Sequence, residues 1–357
     1  MVRGLLDDPD RCRALDPRGM LRLVLRLGET LQEGYWLGRE APLGPPPDVA
    51  QVLVLGMGGS GIGGDLLRGL LYERADIPVV VVKDYTLPRW VGPKTVAFAC
   101  SYSGSTEETL AAYEAAGKAG AVRVAITSGG VLYEWARSEG VPVIRIPSGY
   151  PPRAALGYLF APMLAVLERW GVLPPQEAAV AEAASVLAGL AGEWGPDRPE
   201  AENPAKRLAR ALAGHVPVVY ALRGFTEPAA LRWKTQLNEN SKMFAATHVF
   251  PELNHNETVG WALAGQPEGM LEVVVLRDRE DPPRLVQRLE ITREIAFHKA
   301  SGYHEVWSRG EDPLSRLASL VLFGDLVSVY LAYLNDVDPY PVVVIDELKR
   351  RLEGGPR

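Results

Sequence analysis

The chain predicts an α/β protein made of two doubly wound parallel sheets, each in a three-layer α-β-α arrangement. Three observations carry this prediction. Short apolar runs alternate with segments of helical period, glycine-rich or serine-rich loops stand where a run gives way to a helix, and the alternation pauses after Gly171 and resumes near Val216. Strands separated by crossover helices lie parallel and are covered on both faces, which explains runs of continuous rather than alternating apolar character.

In order, Leu21, Val24, Leu25, Leu27 and Leu31 have helical spacing over residues 16–39, and the Pro-rich run Ala41 to Asp48 ends the pattern. This predicts an N-terminal cover helix and a linker over residues 1–47. Val52 to Leu55 reads as a buried strand, GMGGSGIGG as a loop and Asp65 to Tyr72 as a helix. Further strands are expected at Ile77–Val82, Thr95–Cys100, Val122–Thr127 and Val141–Ile146, with helices after SYSGSTEE through about Ala119 and over Leu132–Ser138. The segment YPPRAALGYLFAPMLAVLERWG reads as a helix ending at Gly171, and Pro174 and Pro175 then mark a boundary. A first domain over 48–173 and a second over 174–357 follow. The second is expected to hold a helix at Gln176–Trp194, a turn-rich connection GPDRPEAENP and strands at Val216–Ala221, Leu271–Leu276 and His304–Ser308. Its further helices are placed at Glu227–Glu239, Arg284–Ala300 and Leu314–Leu334.

A chain of 357 residues suits about two domains. A hydrophobic fraction of 47% and a charged fraction of 23% suit a globular protein better than a disordered or membrane-inserted one. A net charge of -6 argues against a general nucleic-acid binder. The start MVRGLLDDPDRCRALD lacks the apolar core of a signal peptide, and no apolar run is expected to span a bilayer. Cys12 and Cys100 are too few and too far apart for a disulfide framework or a CxxC-type zinc site, so a cytoplasmic location is expected.

Two loops look built for anions. Gly56, Gly58 and Gly61 satisfy GxGxxG, which lets backbone N–H groups at a helix N-terminus approach a phosphate, and Asp84 after the next strand keeps a dinucleotide reading open. A tight strand-to-helix turn would use the same glycines. Ser101, Ser103, Ser105 and Thr106 stand together in the second loop, where their hydroxyls can converge on one terminal phosphate that a diphosphate bridge would not need. Ordinary N-capping accounts for one or two of these four.

The densest polar stretch runs from Gln236 to Trp261, QLNENSKMFAATHVFPELNHNETVGW. It places Asn238, Glu239, Asn240 and Lys242 at one element end, and Glu252, Asn254, His255, Asn256 and Glu257 after a short apolar segment, His248 to Phe250. A polar helix end and a capped turn remain the plain alternative. His215 and His248 beside apolar strands read as structural. His298 and His304 with Glu294 lack metal-site spacing, Trp261 is expected under the His255 loop, and residues 284–294 read as a solvated face.

Taken together, GMGGSG, SYSGSTEET, PPRAALGY, QLNENSK, ELNHNE and the C-terminal DPYPVVVIDELK resemble the bifunctional phosphoglucose/phosphomannose isomerase family, built from two sugar isomerase (SIS) domains, from about Val52 onward. The resemblance implies that Gly58, Gly59, Ser60, Ser101, Ser103 and Thr106 hold a sugar phosphate and that Arg153 stabilises an enediolate oxygen. It makes Glu239 the base moving a proton between C1 and C2. It also implies that His255 opens the ring from the neighbouring subunit of a homodimer, and that Lys349 assists. No metal or redox cofactor is demanded by this chemistry, since a carboxylate, an imidazole and a cation suffice. Val342 stands where the family often has a threonine credited with admitting the mannose epimer, so glucose 6-phosphate activity is the firmer expectation. A sugar-phosphate sensor would need the loops but not Glu239 and His255, and an NAD-dependent oxidoreductase rests on GxGxxG and Asp84 alone.

Overall fold

The computed structural model describes residues 4–263 and 269–353. Helices α1 (Pro9–Leu15), α2 (Met20–Leu25) and α3 (Leu27–Arg39) open the chain. Asp8 caps α1 by accepting from the N–H groups of Asp10 and Arg11, and the Asp16 carboxylate accepts from Met20 and Leu21 at the start of α2. The single helix expected over 16–39 is therefore two. It breaks at Arg26, whose N–H turns to the carbonyls of Leu23 and Val24.

The first sheet holds β1 (Gln51–Leu55), β2 (Val79–Val82), β3 (Thr95–Cys100), β4 (Val122–Thr127) and β5 (Val143–Arg145), all parallel in the order β2-β1-β3-β4-β5. Helices α4 (Gly58–Leu71), α5 (Glu107–Lys118) and α6 (Gly130–Ser138) connect it. Here the expectation of a loop over GMGGSGIGG is corrected, because the helix begins at Gly58, inside the glycine run. After a 3-10 turn at Pro152–Ala154 come α7 (Leu156–Arg169), α8 (Glu177–Trp194) and α9 (Pro204–Leu212), the last not foreseen. The second sheet holds β6 (Val216–Leu222), β7 (Ala246–Phe250), β8 (Leu271–Arg277) and β9 (Gly302–Trp307), parallel in the order β7-β6-β8-β9. Its helices are α10 (Glu227–Glu239), α11 (Glu257–Leu263), α12 (Pro283–Ile295) and α13 (Pro313–Leu334), and α14 (Val343–Glu353) follows.

Alternate residues of each central strand enter different cores. Val52 and Val54 point one way with Phe98 and Ile126, while Leu53 and Leu55 point the other way with Ala97, Ala99 and Ala125. In the second sheet Val219, Ala221, Val274 and Leu276 join the first of these cores, while Tyr220, Val273, Val275 and Phe250 form a third. The two sheets thus face each other across one shared apolar interior. Helix α13 is the rod at its centre, with mean hydropathy 1.9 over a window 94% buried. By length and composition it could cross a membrane, against the expectation that no run would. It is instead a core helix whose charges are paired: Asp325 with Arg232 at 2.6 Å and Arg316 with Asp278 at 3.2 Å.

Candidate active site

Arg153 is the centre of the polar interior. The Pro151–Pro152 pair starts the 3-10 turn that presents it, and its side chain is only 3% exposed. A buried guanidinium needs acceptors on every edge, and the fold supplies them. Nε donates to Asn240 Oδ1 at 2.7 Å, and Nη2 donates to the carbonyls of Pro339 at 2.8 Å and Tyr340 at 2.7 Å. The remaining edge, Nη1, lies 3.5 Å from Glu239 Oε2. Burial weakens the guanidinium's hold on its proton while the Glu239 carboxylate strengthens it, and an arginine starts so high that it stays charged.

Helix α10 delivers this arrangement as a unit. Arg232 donates through Nη2 to the Arg153 carbonyl at 2.8 Å and pairs bidentately with Asp325, which also accepts from Gln236 at 2.9 Å. One turn after Gln236, Asn240 donates to Ser328 Oγ at 2.9 Å, so the residues flanking Glu239 are pinned to α13. Glu239 itself, at the last helical position, keeps its side chain 24% exposed. A second cation lies beside it. Lys242 Nζ donates to the Glu239 carbonyl and, at 3.3 Å, to the Pro339 carbonyl. Although Lys242 as a residue is exposed, its ammonium folds back onto these carbonyls. Desolvation, then the Arg153 charge, push its pKa down to about 8.

The two anion-friendly loops sit next to this cluster. A Cβ on Gly59 would come within 2.6 Å of the Arg153 backbone nitrogen, so glycine is what lets the start of α4 press against the turn holding Arg153. The hydroxyl of Ser60 accepts from the N–H of Tyr102 at 3.1 Å and ties the first loop to the second. Ser101 Oγ and Thr106 Oγ1 lie 3.0 Å apart, and the N–H of Gly104 donates to Ser101 at 3.1 Å. Gly104 has φ +68, and a Cβ there would strike the Gly129 carbonyl. Ser103 is exposed and accepts from the N–H of Ser105 at 3.3 Å. Among the described residues neither Met57 nor Thr106, the N-cap residues of α4 and α5, makes a side-chain capping hydrogen bond, so the first N–H groups of both helices, including those of Gly58 and Gly59, are left without one.

Other expected residues lie apart. His255 is exposed at the end of the 252–255 turn and Lys349 is exposed on α14; among the described residues no hydrogen bond or ion pair joins either to Glu239 or Arg153. Val342 precedes α14 and its carbonyl accepts from Ile345 at 2.8 Å. Asp84 is exposed and accepts from the next residue's N–H. Trp261 packs on Phe297, donates to the Tyr220 hydroxyl at 2.7 Å and shares a buried cluster with Leu253 of the 252–255 turn. His304 meets Glu272 at 2.6 Å and His248 lies 3.7 Å from Glu257. Among the described residues no group of three or more His, Cys, Asp or Glu could hold a metal. A cavity of about 530 Å³ opens elsewhere, lined by Cys12, Asp16, Arg22 and Tyr330.

The sequence points to Asn240 and Lys242 only as members of the polar stretch, with no role of their own, and does not point to Arg232, Asp325 or the Pro339 and Tyr340 carbonyls. The signal was present in part, since NENSK surrounds Glu239 and DPYP precedes α14. The arrangement offers a carboxylate able to take a proton, two cations for a developing oxyanion, and uncapped helix starts with hydroxyls for a phosphate.

Residues 201–352 match the model of the bacterial phospho-glucose isomerase C-terminal SIS domain. A bifunctional phosphoglucose/phosphomannose isomerase of Caldicellulosiruptor bescii is 44% identical, covering 93% of this chain and 98% of that protein. One from Aquifex aeolicus is 37% identical over 85% of this chain and 90% of its own. Among solved structures, a hypothetical protein of Thermus thermophilus superposes with TM-score 0.72 at 19% identity, covering 97% of this chain and 94% of that one. The C-terminal domain of glucosamine-fructose-6-phosphate aminotransferase from Francisella tularensis follows at 0.67, with 14% identity and coverage of 90% and 97%. These last two show a shared fold.

Proposed function

The chain belongs to the bifunctional phosphoglucose/phosphomannose isomerase family, and from that membership and the Glu239 geometry we propose that it interconverts glucose 6-phosphate and fructose 6-phosphate, and mannose 6-phosphate with them, through a cis-enediol(ate). The carrying observation is the Glu239 carboxylate 3.5 Å from an arginine whose other edges are already held. A base in that position takes the carbon-bound proton and returns it to the adjacent carbon, while Arg153 meets the charge that moves onto oxygen. Gly58, Gly59 and the hydroxyls of Ser60, Ser101, Ser103 and Thr106 are assigned to the phosphate, supported by the start of α4, which lacks a side-chain cap and presses against the Arg153 turn.

Ring opening is assigned to His255 with Lys349. The exposure of His255 supports its supply to the Glu239 face of a second subunit, and so a homodimer. Val342, a methyl-bearing replacement for a hydroxyl, is the position where the choice between the C2 epimers is expected to be tuned. Division into an N-terminal segment (1–47), a first SIS domain (48–173) and a second (174–357) belongs to the same proposal, supported by the family match within 201–352. A cytoplasmic setting fits the free thiols of Cys12 and Cys100.

The test is a coupled assay from fructose 6-phosphate that reads the two aldose products separately, with Glu239→Gln beside the parent. Both products are expected, and the amide, which cannot accept the proton, should lower kcat by about 10²–10⁴-fold for both together. Binding of sugar phosphate without turnover in the parent would instead make this a sensor.

A further inference from the structure

We propose that Lys242 is the second cation of the Glu239 site and touches the reacting oxygen of the sugar, sharing with Arg153 the charge that forms as Glu239 takes the carbon-bound proton. This rests on the isomerase reading above. In that step the C–H electron pair becomes the enediolate double bond, the carbonyl π pair moves onto oxygen, and the proton sits on Glu239 until it is handed to the neighbouring carbon. The site therefore passes one negative charge from carboxylate to oxyanion, and both cations must lie within reach of each position.

Three geometric observations support this. Lys242 and Arg153 converge on one acceptor, the Pro339 carbonyl, at 3.3 and 2.8 Å. The same ammonium donates to the carbonyl of the base itself, Glu239. Finally, Lys242 has φ 57, a left-handed conformation shared among the described non-glycine residues only with Asp336. Such strain persists where surrounding structure enforces it and clusters at functional sites. Here it turns a lysine back over the end of α10.

A simple helix C-cap would use the same charge, so the test must separate the two. The groups facing the ammonium are Arg153 on the 3-10 turn and Arg18 before α2, which disfavour its charge, and Asp338 and Glu239, which favour it. With desolvation foremost the balance lowers its pKa to about 8. The charged, useful form is then present below that value and is lost as pH rises through it.

The experiment measures kcat, KM and melting temperature of the parent, Lys242→Met, Lys242→Arg and Lys242→Gly with fructose 6-phosphate from about pH 7 to about pH 9.5. For the parent, kcat should fall across an alkaline limb near the lysine value. Lys242→Met should lose about 10²-fold in kcat with less change in KM, and lose that limb. Lys242→Arg should extend activity to higher pH because a guanidinium does not deprotonate there. Lys242→Gly, which relieves the left-handed backbone, should melt no lower than the parent yet share the kcat loss. A Lys242→Met enzyme within twofold of the parent in kcat, or one retaining the alkaline limb, overturns the proposal and leaves the isomerase reading standing. A parent with no turnover overturns both.

Discussion

At the scale of single residues, the site depends on satisfied buried polar groups. Asn240 is fully buried and uses both ends of its amide, accepting from Arg153 and donating to Ser328. Asn240→Leu keeps the volume but orphans the Arg153 Nε–H, a cost of about 1–3 kcal/mol. It also frees the guanidinium to shift. Since a misplacement on the order of 1 Å can cost about 10²-fold, kcat/KM should fall at least tenfold while Asn240→Asp, which keeps the acceptor, recovers part of it. Steady-state kinetics beside thermal melts check both. Glu239 in NEN and Arg153 in PPRAALGY are both named through the family resemblance. Their contact is not legible in the sequence, because Arg153 lies 86 positions earlier and only folding brings the two to 3.5 Å.

At the scale of elements, glycine decides how closely backbones approach. The strands β3 and β4 coincide with the runs read from the sequence, Thr95–Cys100 and Val122–Thr127, because a buried parallel strand is a continuous apolar run with sharp polar ends. Helix α10 likewise matches Glu227–Glu239. Helix α4 does not, since five glycines among its first seven residues speak against helix by propensity, yet it starts at Gly58. Tertiary contact overrides propensity there, with Gly59 pressed against the Arg153 turn. Gly59→Ala should therefore force that turn away, destabilise the protein by about 1–3 kcal/mol and raise KM for sugar phosphates more than it lowers kcat. Denaturant melts and the coupled assay measure the two effects. The short helix α9 and the edge strand β7 escaped the sequence reading for other reasons. In α9 the residues Ala205, Leu208, Ala209 and Leu212 keep a helical spacing, but the Asn203-Pro204 cap that starts it reads equally as the end of the turn-rich connection before it. In β7 five residues give little period to detect, and ATHVF is half-buried except at Phe250.

At the scale of the whole molecule, the two sheets share one interior, and the cluster around Arg153 draws on both halves and on the connection before α14. His255 stays outside it, so the dimer is open to a direct test. Co-expressed Glu239→Gln and His255→Ala chains should be inactive alone, but their mixed dimers should carry one intact site each if His255 crosses the interface. Random pairing then restores about a quarter of the parent activity, whereas a histidine acting within its own chain restores none. The sequence by itself determined the alternation of strands and helices, the glycine and serine loops and the candidate base. Each of these is written in contiguous residues, through local period and turn chemistry. Only the tertiary structure decided that Arg153, Asn240, Lys242 and the Pro339 carbonyl form one group around Glu239. That arrangement follows from burying a guanidinium, which must find its acceptors wherever the packed chain places them.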